Sequence, residues 1–227
     1  MRFEPSGAFT PVSATDLLDG RTALAVLAPH PDDETLGCGS LLAEASAIGI
    51  ACSVICVTDG RRSHPNSRLW PPARLIAQRR QELERAAALL GPIEVHHLGF
   101  ADCEAPTDGP ALAALARHVR QGALFLSTWA GDPHVDHQSC ATLASRLARQ
   151  RPDVRHLAYP IWGRLRPALP FPRQGWRLTS IHPAKPAALR CHESQMTRLI
   201  HDDPDGFTME PDHQRLFLQE PEVFLAP

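Results

Sequence analysis

Short apolar runs, each closed by a turn and followed by a helical pattern, recur along the first two-thirds of this chain. Residues 23–28 (Ala-Leu-Ala-Val-Leu-Ala) read as a strand and 35–49 as the helix after it. Residues 52–57 read as a second strand, ending in Thr58-Asp59-Gly60. A polar loop over 61–72 leads to a helix over 74–90, which Gly91-Pro92 stops. The pattern continues with a strand at 93–98, a helix at 110–121, a strand at 123–127 and a helix at 137–149. From 152 onward prolines are dense, and the expectation is strands near 154–159 and 176–181, one helix over 184–200 and an irregular tail. Strands alternating with helices build βαβ units, so the fold class expected is α/β with a mainly parallel sheet. No repeat or linker divides the chain, and one domain over 1–227, with its core at about 23–200, is expected.

Composition narrows the classes. With 43% hydrophobic residues in 227, the chain has ample material for a buried core. A formal charge of −2 gives no basic footprint for nucleic acid or an anionic membrane. No apolar run approaches the roughly 20 residues of a membrane span, and residues 1–7 lack the charged-then-apolar pattern of a secretory leader. Cys52 and Cys56 would stand about 13 Å apart on one strand face, beyond disulfide reach. Cys38, Cys103, Cys140 and Cys191 are scattered singly, without CxxC spacing. Free, mostly buried thiols in a reducing cytoplasm are expected.

Two clusters carry the chemistry. His30-Pro31-Asp32-Asp33-Glu34 directly follows the first strand, and His134-Val135-Asp136-His137 comes soon after the strand at 123–127. The carboxyl ends of neighbouring strands in an open α/β sheet converge on one crevice, so the two clusters can meet there. Together they suit a zinc-type metal and an activated water, the inventory of a metallohydrolase. His30 and Asp33, three apart, present both side chains on one side of a turn or opening helix. That leaves Asp32 free to accept a proton from the activated water. Glu34 falls in the first helical turn, where an acid suits the dipole; helix capping is the plainer account of this acidic run. In the second cluster both histidines could bind metal. The economical division gives His137 to a two-His, one-carboxylate site, a set that also suits ferrous iron. His134 is then left beside the substrate as an imidazolium, oriented and raised in pKa by Asp136.

Several stretches, in order over about 23–200, resemble one known family. They are Ala28-Pro29-His30-Pro31-Asp32-Asp33-Glu34, Val57-Thr58-Asp59-Gly60, Arg79 with Glu82, Leu98-Gly99-Phe100-Ala101-Asp102, the His134-to-His137 motif and the helix from Lys185 to Ser194-Gln195. The family is that of the PIG-L/LmbE-like zinc-dependent N-acetylglucosamine deacetylases. The resemblance implies a Rossmann-like three-layer sandwich with helices on both faces of the sheet. It also implies zinc held by His30, Asp33 and His137, Asp32 as general base, His134 assisting the oxyanion or leaving group, and a small N-acetylated sugar or glycoconjugate as substrate. Val135 stands where the family commonly has proline. Asp132-Pro133 occupies ground where some members carry a carbonyl-polarising tyrosine, and the single tyrosine here is Tyr159.

On the helix at 74–90, Arg79 falls inside the apolar arc of Leu75, Leu83, Ala86 and Leu90, where it needs a partner or a substrate; Glu82, just outside the arc, is a candidate partner, and snorkelling at the sheet edge is the alternative. The resemblance favours substrate contact for Arg79, and Asp59 and Asp102, at strand ends facing the same crevice, are read as substrate contacts too, against turn chemistry for the two aspartates. Residues 61–73 and 160–175 are expected to cover the crevice, with Trp162, Trp176 and Arg164 as sugar contacts. Three other functions compete: an amidase on another N-acylated metabolite or thiol conjugate, a Rossmann-type nucleotide binder, and a catalytically silent metal-binding protein. The nucleotide motif fails because Leu42 follows Gly37 and Gly39 at the third glycine position. A silent protein would need neither Asp32 nor His134.

Overall fold

The structure, a computed structural model, describes residues 9–227; the segment 1–7 read above for a leader pattern lies outside the described residues. β1 (Phe9–Val12) and α1 (Ala14–Leu17) come first, α1 opening on a capping box between Ser13 and Asp16. Then follow β2 (Ala23–Ala28), α2 (Asp33–Ala47), β3 (Ala51–Thr58), α3 (Pro72–Leu90), β4 (Ile93–Phe100), α4 (Pro110–His118), β5 (Leu124–Thr128), α5 (Val135–Gln150) and β6 (Arg155–Tyr159). The last third holds β7 (Gly175–Leu178), α6 (Lys185–Arg190), α7 (Glu193–Met196), α8 (Pro211–Gln219) and β8 (Val223–Leu225).

The eight strands of the described residues lie in one open sheet in the order β1-β7-β8-β6-β5-β2-β3-β4. Every pairing is parallel except those of β8, which runs antiparallel to both β6 and β7. Three expectations from the sequence fail here. The tail is not irregular, since α8 and β8 occupy it. The single helix over 184–200 is two short ones broken at Cys191-His192. β1 forms a sheet edge ahead of the expected core.

β2 shows how the layers arise. Its six residues are all buried, because strand side chains alternate between faces and helices cover both. Leu24, Val26 and Ala28 pack with α2 and α3 residues such as Leu41, Leu83 and Ala86. Ala23, Ala25 and Leu27 pack on the other face with Leu115 of α4 and Leu143 and Leu147 of α5. From β2 the chain moves outward through β3 and β4, then returns to place β5 on the other side of β2. That reversal between β2 and β5 is the switch point at which open α/β sheets bind ligands. The His30 cluster leaves β2 there, and the segment leading to His137 leaves β5.

Candidate metal centre

The turn after β2 delivers His30 and then Asp32 in an unusual conformation, φ 135° and ψ −28°. A non-glycine residue enters such a region at a cost of about 1–3 kcal/mol. Asp32 makes no side-chain cap to α2, so the capping account does not hold for it. Its backbone N–H donates instead to Glu34 Oε2 (3.0 Å), and its carboxylate lies 3.5 Å from the Arg79 guanidinium. Glu34 is held in turn by the buried His192, whose Nε2 is 3.2 Å from Oε1. Burial, reinforced by the neighbouring Asp33 and opposed by Arg79, pushes the Asp32 carboxyl up to about 7.

Asp33 Oδ2 stands 3.3 Å from His30 Nδ1 and 3.3 Å from His137 Nε2. The far nitrogen of each imidazole is already spoken for. His30 Nε2 meets Asp136 Oδ2 (3.0 Å) and Asp102 Oδ1 (3.3 Å), and His137 Nδ1 meets Asp132 Oδ2 (2.8 Å). His137 Nε2, fully buried, has no hydrogen-bond partner. Burial would lower the pKa of both imidazoles, but the surrounding carboxylates outweigh it; His137 is raised to about 9 and His30 well above its usual value. Burial pushes the Asp33 carboxyl up as well, yet His137 and His30 hold it well below the ordinary carboxylate range. The pocket thus favours positive charge between two ring nitrogens and a carboxylate oxygen. An orphaned buried nitrogen and this donor set fit a divalent cation, with the carboxylates behind each histidine fixing its tautomer and ring plane.

The second cluster differs from expectation. Asp136 does not orient the His134 ring: its carboxylate accepts from Cys103 N (2.8 Å) and Ala105 N (3.0 Å) and holds His30. His134 instead caps α5, its Nδ1 accepting from the Asp136 backbone N–H (3.2 Å). That bond leaves the proton on Nε2. Burial, with His30 and His137 nearby, lowers the His134 pKa to about 4, so it is a neutral N–H donor and not the imidazolium expected. The His134 ring stands edge-on to His30 at 4.7 Å between centroids, and one nitrogen from each of His30, His134 and His137 lies within a 4.8 Å group.

A cleft of about 210 Å³ opens beside this cluster, lined by His30, Asp32, Asp33, Arg79, Asp102 and His134 among others. Asp59 does not line it; both carboxylate oxygens are taken by Arg61, through its backbone N–H (3.1 Å) and its guanidinium Nε (2.8 Å). Arg79 is buried, but Glu82 is not its partner. Arg79 donates to the carbonyls of Gly60 (3.0 Å) and Pro31 (2.8 Å), while Glu82 takes the backbone N–H and hydroxyl of Ser194 at α7. Gly60, at φ +64°, is where the guanidinium passes so close that a Cβ would collide with it. Of the three sugar contacts expected, Trp162 lines the cleft and Arg164 and Trp176 do not. Tyr159 is buried, donating to Leu27 O (2.8 Å).

Sequence reasoning missed Asp132, whose buried carboxylate collects His137 Nδ1 and the backbone N–H groups of Ile161 (3.0 Å) and Gly163. Its position five residues before His137 was the available signal. Gln195, singled out in the sequence with Ser194, lines the cleft, and the rest of that wall, Phe207 and Met209, was missed.

A family model described as PIG-L, GlcNAc-PI de-N-acetylase, matches residues 25–148. The chain is 33% identical over 137 residues to 2'-N-acetylparomamine deacetylase of Streptomyces fradiae, covering 52% of this chain and 48% of that protein. It is 28% identical over 120 residues to diacetylchitobiose deacetylase of Thermococcus kodakarensis, covering 51% and 45%. The chain spans about half the length of the curated relatives it matches. Among solved structures, N,N'-diacetylchitobiose deacetylase from Pyrococcus horikoshii superposes with a TM-score of 0.63 at 20% identity, over 91% of this chain and 84% of that one. No helix among the described residues is long and apolar enough to cross a membrane.

Proposed function

The chain belongs to the PIG-L family, and from that membership we propose that it is a metal-dependent N-deacetylase that hydrolyses the acetamide of a small N-acetylglucosamine-type sugar or glycoconjugate. The observation that carries this is the placing of Asp33 Oδ2 at 3.3 Å from both His30 Nδ1 and the otherwise unpartnered His137 Nε2. His30, Asp33 and His137 are the ligands proposed, and zinc is the metal, a set that ferrous iron also suits. Such an ion, when bound, lowers the pKa of a water toward 7 and polarises the acyl carbonyl.

The chain's own residues supply the rest. Asp32 takes the proton of the attacking water, a task for which a carboxyl titrating near neutrality is suited. Arg79 holds that carboxylate toward the cleft, and its two backbone contacts fix the turns that form the floor. His134 Nε2–H donates to the acyl oxygen as charge grows there, the role of a preorganised oxyanion donor. Asp32, protonated by the attack, then returns its proton to the departing amine. Asp102 and the aromatic face of Trp162, both on the cleft, are the proposed sugar contacts. Six free thiols support the reducing cytoplasm as its compartment, and its partners are small molecules.

The test is acetate release from a panel of N-acetylglucosamine conjugates, before chelation, after chelation and after zinc is restored. Release that disappears with chelation and returns with zinc is expected. Metal-dependent hydrolysis confined to other N-acyl compounds would replace the sugar with an amidase substrate. No hydrolysis of any amide by the zinc-loaded protein would overturn the proposal.

A further inference from the structure

Cys103 lies at the mouth of the cleft in a left-handed conformation, φ +66°. Among the six thiols, Cys38, Cys52, Cys56 and Cys140 are buried and Cys191 is half-buried, so Cys103 is the one that faces solvent. It does not stand alone. One ligand atom from each of Asp102, Cys103 and His134 falls within 4.8 Å of the other two. Each of these groups has capacity to spare. His134 accepts at Nδ1 and makes no other hydrogen bond to the described residues, and it lines the cleft. The thiol makes only a long contact to Asp102 Oδ1 (3.5 Å). Asp102 accepts from Arg62 N at Oδ2 (2.9 Å) and approaches His30 at Oδ1.

We infer that Asp102, Cys103 and His134 form a second cation site, separate from the His30, Asp33 and His137 site and selective for a thiophilic divalent ion. A thiolate, an imidazole and a carboxylate converging with a side open to solvent suit zinc or cadmium with water completing the shell, and reject magnesium or calcium. Binding displaces the thiol proton to solvent and moves the His134 proton from Nε2 to Nδ1, which gives up the Asp136 N–H; with one proton released, uptake strengthens as pH rises. The left-handed backbone sets where the thiol stands: Cys103 N–H is directed at Asp136, and the side chain is left at the rim beside His134. An ion seated here takes the Nε2 of His134. On the role proposed for His134 above, occupancy of the second site therefore stops turnover, while occupancy of the first supports it. The inhibition rests on that role; the binding does not.

The experiment titrates cadmium, and separately zinc, into protein already carrying one equivalent of zinc, for the wild type and for Cys103→Ser. Readouts are metal stoichiometry, the ultraviolet cadmium–thiolate absorption band, and acetate release. The wild type should take up a second equivalent with growth of the thiolate band and progressive loss of activity. Cys103→Ser should show no band, bind the second ion at least tenfold more weakly, and keep its activity with excess metal. Cys103→Ala should behave as Cys103→Ser does. Equal uptake by wild type and both variants would overturn the site. Thiol-dependent uptake without loss of acetate release would leave the site standing and overturn the role given to His134.

Discussion

Asp32 and His134 carry opposite demands, one to hold a proton transiently and the other to keep one. Asp32→Asn preserves the shape beside Arg79 but cannot accept a proton. The variant should hold its metal and lose kcat by at least about a hundredfold; normal turnover measured on the metal-loaded variant would show that the base is another group. His134→Ala removes a donor aimed at the acyl oxygen and should lower kcat by about 10²–10³, with metal content unchanged. Because burial holds the His134 ring neutral, with a pKa near 4, its protonation should not change between pH 6 and 9. A kcat/KM profile with a basic limb that vanishes in His134→Ala would contradict the neutral donor. That His30, Asp33 and His137 would stand together was legible from the two motifs, since a turn or one helical start sets each cluster; their role as ligands is the proposal above. The partners behind them were not legible: Asp136 reaches His30 across 106 positions, a contact that only the packing of β5 beside β2 creates.

At the scale of elements, α2 is pinned by a buried ion pair, Lys185 with Glu222, outside the proposed chemistry. Lys185 Nζ donates to Leu36 O (2.8 Å) and to Glu222 Oε1 (2.7 Å), and Glu222 accepts from the backbone N–H groups of Ser40 (2.6 Å) and Leu41 (3.0 Å). Both side chains are 1% exposed. Removing one partner of a buried pair strands the other charge, so Lys185→Met should cost about 3–5 kcal/mol in urea unfolding, and a Lys185→Met/Glu222→Leu double variant should recover part of it. If the single variant unfolds at the wild-type midpoint, this pin is dispensable. The same pair explains why the tail defeated sequence reading. β8 is three residues long and carries no period of its own, and its place between β6 and β7 is fixed by partners that include Glu222 just before it. The break between α6 and α7 has a similar origin: His192 turns inward to meet Glu34, a demand no helical period reveals.

For the whole molecule, two conditions move stability in directions the structure sets. His156 on β6 is half-buried, with Nε2 at 2.9 Å from Ser127 Oγ and its ring against Phe125. Burial lowers its pKa from 6.5 to about 4. Between those values the unfolded chain binds the proton and the folded one does not, so its contribution to stability is present above pH 6.5 and is lost as pH falls toward 4. The loss should approach about 3 kcal/mol, and His156→Gln should flatten that part of the pH–stability curve; an unchanged slope would clear His156 of the effect. Metal removal acts at the switch point between β2 and β5. An ion bound only by the folded state adds about 4 kcal/mol at a thousandfold excess over its Kd, so chelation should lower the unfolding midpoint of the wild type and leave that of His137→Ala unmoved. The parallel strands β2, β3 and β5 were legible because each is a buried apolar run with a helix after it. The antiparallel β8, inserted between β7 and β6, was not, because it is recognised only by what it pairs with.

The most direct test is the metal content of purified protein after dialysis against zinc, measured beside His30→Ala, Asp33→Ala and His137→Ala. One ion per wild-type chain and none retained by the three variants is the result predicted, since three protein ligands with an open position define such a site. A stoichiometric ion in any of the variants, or none in the wild type, would contradict the assignment of His30, Asp33 and His137 as the ligands.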